Sequence, residues 1–395
     1  MEPKLIEHLV AIRRQIHSNP ELGYQEFETA DLICKELYAL NIPFRRNIAK
    51  TGVIAELKKG EGPCIVLRAD MDALPMKEKN RLSFASNKVM KVKDKKAIPL
   101  MHACGHDIHT TILLGAVHLL KESDFKGLIK FIFQPSEEGT YNDEKNQSGG
   151  QRIAESGELD DVTAAVGLHV YPKFPVGKVI FVLGQALANV NFFTIEITGK
   201  AVHAGMEPEK GKDAIMIAVQ LIQEAQLIVS RLTSPTEPVV VSFTQIEGGT
   251  NQNILASKVT LKGTIRTLDL KTYQIVIEKL QRIIRGLKYI YSVKIAMKID
   301  LYYPSLLNDK SVHNKISGTL NEIFGIGNVV EAKPLLGGED FAFYSRKVPS
   351  MFYFLGAQDT AEKVFSIHEP EVVFNEDCIP FGVELLTKSA LKLFE

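Results

Sequence analysis

The chain has 395 residues with 47 basic and 47 acidic side chains, so its formal net charge is zero. That balance argues against a nucleic-acid binder, which needs a basic face to displace phosphate counterions; the 45% hydrophobic and 24% charged content excludes disorder. At ~150 residues per domain the length suggests two or three domains, no apolar run reaches the ~18 residues of a membrane span, and the start Met1-Glu-Pro-Lys-Leu-Ile-Glu-His8 lacks the basic and apolar regions of a secretion signal.

From Lys4 to Leu40 apolar residues recur at helical spacing, with a break at Ser18-Asn19-Pro20. Strands are predicted at Gly52–Leu57 and Cys64–Leu67, a helix from about Asp107 to Leu120, and strands at Leu128–Phe133, Ala164–Val170 and Lys178–Val182. Alternating apolar strands and helices indicate an α/β sheet covered by helices. The pattern changes near Gln185. Strand Asn191–Thr198, helix Asp213–Arg231, strands Val239–Glu247 and Val259–Thr267, helix Thr272–Leu287 and strand Val293–Ile299 follow. That order is the split βαβ, or ferredoxin-like, arrangement. After Tyr303-Pro304 the first pattern resumes with helix Val312–Phe324, strand Met351–Leu355 and helix Phe381–Leu393. The expectation is an α/β domain of residues 1–185 and 301–395, interrupted by an α+β insertion at 186–300.

The cysteines, Cys34, Cys64, Cys104 and Cys378, show no disulfide-like spacing, which points to a reducing, cytoplasmic compartment. Cys34 and Cys64 read as small buried hydrophobes. Cys104 stands apart, between two histidines in Met101-His-Ala-Cys-Gly-His106-Asp107 and just before a helix, whose N-terminus would favour the thiolate. Metal ligand and cysteine nucleophile are both open at this point.

Other candidate groups also fall at strand ends. Val66-Leu-Arg-Ala-Asp70-Met-Asp72 carries two aspartates at alternate positions, facing the same way in extended chain. Strand Leu128–Phe133 runs into Gln-Pro-Ser-Glu137-Glu138, where one carboxylate could ligate and the other act as a base. His169 lies near the end of its strand. Singly, a Glu pair is usually solvated and such a histidine is usually a core residue. Two carboxylates, a thiolate and two imidazoles at the ends of strands together indicate a ligand site, because open α/β sheets bind there.

These segments, with Arg14–Gly23, Gly199-Lys-Ala-Val-His203-Ala, Gly337-Gly338-Glu-Asp-Phe341 and Ser366-Ile-His368-Glu-Pro370, occur in the order of a known family. The chain resembles the aminoacylase/carboxypeptidase family of two-metal peptidases, in its amidohydrolase branch of hippurate hydrolases, auxin-conjugate hydrolases and N-acetyl-diaminopimelate deacetylases. The resemblance implies an α/β/α catalytic domain with an inserted ferredoxin-like lid and dimerisation domain. It implies amide cleavage of N-acyl amino acids or small peptides through a metal-bridged water, with Glu137 as general acid/base. Cys104 would bridge the metals, His106 and Glu138 would complete one side, and His169 and His368 the other. Asp72 would orient a ligand from behind. Arg68-Ala-Asp70 stands where other branches have a histidine, which leaves Asp70 open. His203, Asn253, Arg266 and Gly338 would contact substrate, with His203 reaching across a dimer interface. Two divalent ions are implied, zinc first, with manganese, cobalt or nickel able to substitute. The implied assembly is a homodimer or homotetramer, with no nucleic-acid or membrane partner. Thr140–Gln147 departs from the family pattern beside the base. Two rivals use the same residues: a metallopeptidase acting on longer peptides, and a hydrolase with Cys104 as nucleophile. The remaining histidines need no special role.

Overall fold

The computed structural model describes residues 1–90, 97–140, 143–359 and 363–395. Residues 141–142 of the divergent Thr140–Gln147 stretch lie outside these. The chain divides into two compact units, one of residues 1–184, 307–333 and 340–395, the other of 185–306 and 334–339.

The first unit is built on an eight-stranded sheet. Its strand order is Phe44–Ile48, Gly52–Lys59, Gly127–Gln134, Cys64–Asp70, Val162–Tyr171, Ser350–Gly356, Val179–Phe181 and Val329–Glu331. The four strands from Gly127–Gln134 to Ser350–Gly356 are mutually parallel. Strands Cys64–Asp70 and Ser350–Gly356 are buried at every residue, as expected of parallel strands at the centre of a sheet. Helices Pro3–Ser18, His106–Glu122, Lys310–Phe324 and Cys378–Leu393 pack on one another, and His106–Glu122 and Cys378–Leu393 also pack on the strands. The outer strand Phe44–Ile48, Phe-Arg-Arg-Asn-Ile, pairs antiparallel with Gly52–Lys59. It escapes the sequence pattern because its three central residues are polar and exposed, as befits an edge.

The second unit carries a four-stranded antiparallel sheet in the order Val239–Gly248, Lys258–Thr267, Asn189–Thr198, Lys294–Tyr303. With helices Ala214–Leu227 and Leu270–Tyr291 between strands, this is the ferredoxin-like arrangement. Leu270–Tyr291 buries Val276, Leu280, Ile284 and Leu287, one face at helical spacing, and Asp269 caps it by accepting from Thr272 N–H. The helix predicted over Asp213–Arg231 is α-helical only to Leu227, then widens into a π turn at Ile228–Leu232. Residues 301–306 and 334–339, which the sequence pattern groups with the outer domain, pack with the second unit. Strand Lys294–Tyr303 is longer than predicted, and Ala188 N–H donates to Gly337 O while Leu335 N–H donates to Ala186 O.

Candidate metal centre

The carboxyl ends of the central parallel strands gather the chemistry predicted for the first unit. Strand Cys64–Asp70 delivers Asp70 and Asp72, strand Gly127–Gln134 leads to Glu137 and Glu138, and strand Val162–Tyr171 carries His169 near its end. Cys104 and His106 come from the loop that opens helix His106–Glu122. Between them Gly105 sits at φ +86, and a Cβ there would lie 2.3 Å from Val170 Cγ2. Only glycine meets both demands, so this residue lets thiol and imidazole turn to one point.

Cys104 Sγ lies 3.2 Å from His169 Nε2 and 3.2 Å from His368 Nε2, and the latter is 2.9 Å from Glu138 Oε1. Three overlapping groups each hold their donor atoms within 4.8 Å: Cys104–His106–His169, Cys104–Glu138–His368 and His106–Glu137–Glu138. Cys104 belongs to two of them, the arrangement a shared ligand needs.

Each donor is aimed by a hydrogen bond on its far side. His169 Nδ1 donates to Val170 O at 2.7 Å, leaving Nε2 to face Cys104. His106 Nδ1 donates to Asp72 Oδ1 at 3.2 Å, and its buried Nε2 has no hydrogen-bond partner among the described residues. Asp72 also accepts Glu137 N–H at 3.0 Å and Glu138 N–H at 2.9 Å. The acidic pair therefore stands on a bend, with Ser136 at φ 53, rather than in extended chain. Glu26 accepts Ser136 N–H at 2.8 Å from behind that bend. His368, at φ 64, is held in the left-handed region by its N–H bond to Ala103 O at 3.0 Å. Asp340 N–H donates to Glu137 Oε1 at 3.3 Å.

The electrostatics call for a cation. Burial opposes charge on His106, yet Asp70 and Asp72 overcome it and raise the imidazole to about 10. In the metal-free protein burial, then Glu138 and Glu137, raise the Cys104 thiol well above its ordinary range, so the thiolate expected there needs a bound cation to offset them. The helix N-terminus is outweighed by two carboxylates and the loss of water. A site that draws protons onto its ligands in this way has anionic charge to neutralise. A soft sulfur, imidazoles, a carboxylate and the orphaned His106 Nε2 are a donor set that divalent transition metals fit.

The family model described as Peptidase family M20/M25/M40 matches residues 66–392. The chain belongs to that family. It is 36% identical to the IAA-amino acid hydrolase ILR1-like 4 of Arabidopsis thaliana, over 97% of this chain and 85% of that protein. It is 36% identical to the N-acetyl-L-cysteine deacetylase of Bacillus subtilis, over 99% of this chain and 89% of that protein. Among solved structures, the YXEP protein of Bacillus subtilis, a dinuclear metal binding peptidase from the M20 family, is similar with a TM-score of 0.83 and 32% identity, covering 100% of this chain and 99% of that one. The M20 chain is thus an α/β protein with an inserted β-rich domain, and a metal-dependent hydrolase of amide or peptide bonds.

The other predicted residues lie in the second unit. His203 is exposed, and its Nδ1 accepts Gly205 N–H and Met206 N–H at 3.2 Å each, which puts the ring proton of the neutral form on Nε2. Asn253, also exposed, is its neighbour through the Ala204 N–H bond to Asn253 O at 2.8 Å. Arg266, half-buried, has no ion-pair partner among the described residues, and burial alone pulls its pKa down. A Cβ at Gly338 would lie 2.4 Å from Val190 Cγ2 and 3.5 Å from Arg266 NH1.

Sequence reading missed a buried network behind the centre. Arg68 NH1 donates to Asp70 Oδ2 at 2.7 Å and NH2 to Asp340 Oδ1 at 2.6 Å. Gln134 Nε2 donates to both Asp340 oxygens, and Gly150 N–H reaches Oδ2 at 2.7 Å. On the other side His109 Nδ1 donates to Asp70 Oδ1 at 2.6 Å and its Nε2 accepts Val170 N–H at 2.8 Å. Asp70 is thereby fully engaged with Arg68 and His109, and Asp340 links Arg68 to the backbone that holds Glu137. The one sequence signal was the i, i+3 spacing of His106 and His109, which sets both rings on one helix face.

Proposed function

We propose that this M20 protein hydrolyses the amide bond of N-acyl amino acids or small acylated peptides, with Glu137 as general acid/base. The observation that carries it is the paired donor groups sharing Cys104, with Glu137 beside them and held by Asp340 N–H. Cys104, His106, Glu138, His169 and His368 would hold two divalent ions, zinc first, with manganese, cobalt or nickel as alternatives. Such a pair supplies Lewis-acid activation of water and of the scissile carbonyl.

The chain's own residues do the rest. Glu137 takes the proton of the attacking water and returns it to the departing amine. Its backbone N–H is fixed by the Asp72 carboxylate and its carboxylate by Asp340 N–H, so the base has little freedom to turn away. Asp72 also holds the His106 ring. His203, presenting Nε2–H, is suited to a carbonyl oxygen that gains negative charge. Arg266, a half-buried cation without an ion-pair partner among the described residues, is suited to the carboxylate of an amino-acid product. Asn253 and the Gly338 backbone complete the proposed contacts.

A Cys104 nucleophile is disfavoured, because the buried sulfur is shared by two groups of metal-type donors and the neighbouring carboxylates raise the thiol unless a cation offsets them. Within the same proposal, copies associate as dimers or tetramers through the second unit, whose helix Ala214–Leu227 exposes Ile215, Met216 and Val219. Four free, buried cysteines fit a cytoplasmic setting. The test is a screen of N-acetyl amino acids against longer peptides, with zinc and manganese compared. Release of free amino acid from the small substrates is expected. Cleavage of long peptides alone would replace this reading with the peptidase one.

A further inference from the structure

Helix His106–Glu122 begins with the ligands just described, but near its other end it carries a second group of donors. His118 lies twelve residues beyond His106, about 18 Å along the helix axis at 1.5 Å per residue. There His8 of helix Pro3–Ser18, Glu36 of helix Phe27–Ala39 and His118 converge. Each offers one ligand atom, and the three lie within 4.8 Å of one another.

We propose that His8, Glu36 and His118 form a third metal site, separate from the hydrolytic centre, which takes a divalent transition metal such as zinc.

Three observations support it beyond proximity. First, His8 Nε2 and Glu36 Oε2 are already 2.8 Å apart, and the two imidazole rings stand edge to face with centroids 6.1 Å apart. Donor atoms about 2.0–2.2 Å from a tetrahedral zinc stand about 3.3–3.6 Å apart, so the His8–Glu36 pair needs to open only slightly to admit the ion. Second, His118 Nε2 is buried and has no hydrogen-bond partner among the described residues. A buried imidazole nitrogen without a partner is costly, and a metal bond would satisfy it. Burial, then His8, lower the His118 pKa, which disfavours its cationic form. Third, Glu36 and His118 lie within about a turn of their helices' C-termini, Ala39 and Glu122. The partial negative charge there favours a cation. It works against the repulsion from nearby Lys121.

Two imidazoles and one carboxylate are a common zinc set, and sulfur is absent, so the site differs in softness from the Cys104 centre. His8 is half exposed, which provides an entry path.

The experiment uses the metal-loaded enzyme, dialysed to equilibrium against micromolar zinc, and compares wild type with H8Q and H118Q. Wild type is expected to bind one zinc more than either variant at the same free zinc. The variants' affinity at this site should fall by more than the roughly 10–100-fold that loss of an outer partner costs, while amide turnover stays unchanged. Equal zinc uptake by wild type and H8Q would mean adventitious binding only, and would overturn the proposal. If H118Q fails to fold, H8Q, altered at a half-exposed position, decides the matter alone.

Discussion

Asp72→Asn perturbs the metal centre without removing any proposed ligand. One carboxylate oxygen accepts Glu137 N–H at 3.0 Å and His106 Nδ1–H at 3.2 Å, and the other accepts Glu138 N–H at 2.9 Å. Asparagine keeps the shape but has only one acceptor oxygen. In one amide orientation its NH2 faces Glu138 N–H; in the other it faces both Glu137 N–H and the His106 ring. Even the better orientation leaves a donor against a donor in a fully buried place, costing about 1–3 kcal/mol of stability. The His106 ring also loses an anionic partner, so metal affinity should fall roughly 10–100-fold. Competition with a chelator measures that affinity, and thermal unfolding of the metal-free protein measures the stability term separately. Unchanged affinity and unchanged Tm would refute the claim that Asp72 organises the site.

Three further outcomes are expected. Glu137→Gln should keep its metal content but lose about 10²–10⁴ in kcat; full turnover would remove Glu137 as the base. Glu26, pushed up to about 8 by burial and by Asp72, stays protonated in the fold at pH values where the unfolded chain, near 4.5, has lost its proton. Stability is therefore highest below pH 4.5 with respect to this group and falls as pH rises toward 8; Glu26→Gln should remove that slope in Tm, and an unchanged slope would contradict it. Arg68→Met strips the guanidinium from Asp70 and Asp340, both buried, and should cost about 3–5 kcal/mol in denaturant unfolding; wild-type stability would show that the network carries no structural load.

Much of this molecule was legible in the sequence because its signals are local. Seven consecutive buried residues in Cys64–Asp70 and the 3.6-residue rhythm of Leu270–Tyr291 identify their own elements. Cys104-Gly105-His106 is similarly local, since glycine at φ +86 exists to turn its two neighbours together. The Arg68–Asp340 pair is not, because its members lie 272 residues apart and each, read singly, is an ordinary surface charge. Glu26 was silent for the same reason: only its bond to Ser136 N–H, 110 residues away, gives it a place behind the acidic pair. The upward shift of the Cys104 thiol in the metal-free protein needed Glu137 and Glu138 in three dimensions, because the local helix N-terminus pointed the other way.

The central claim is amide hydrolysis that depends on metal held around Cys104. Its most direct test is release of amino acid from an N-acetyl amino acid by protein stripped with a chelator, dialysed, and then reloaded with zinc or manganese. The account predicts that stripping abolishes turnover and that about two equivalents of metal restore it. Full turnover by the stripped protein would contradict it and return the chemistry to the thiol of Cys104.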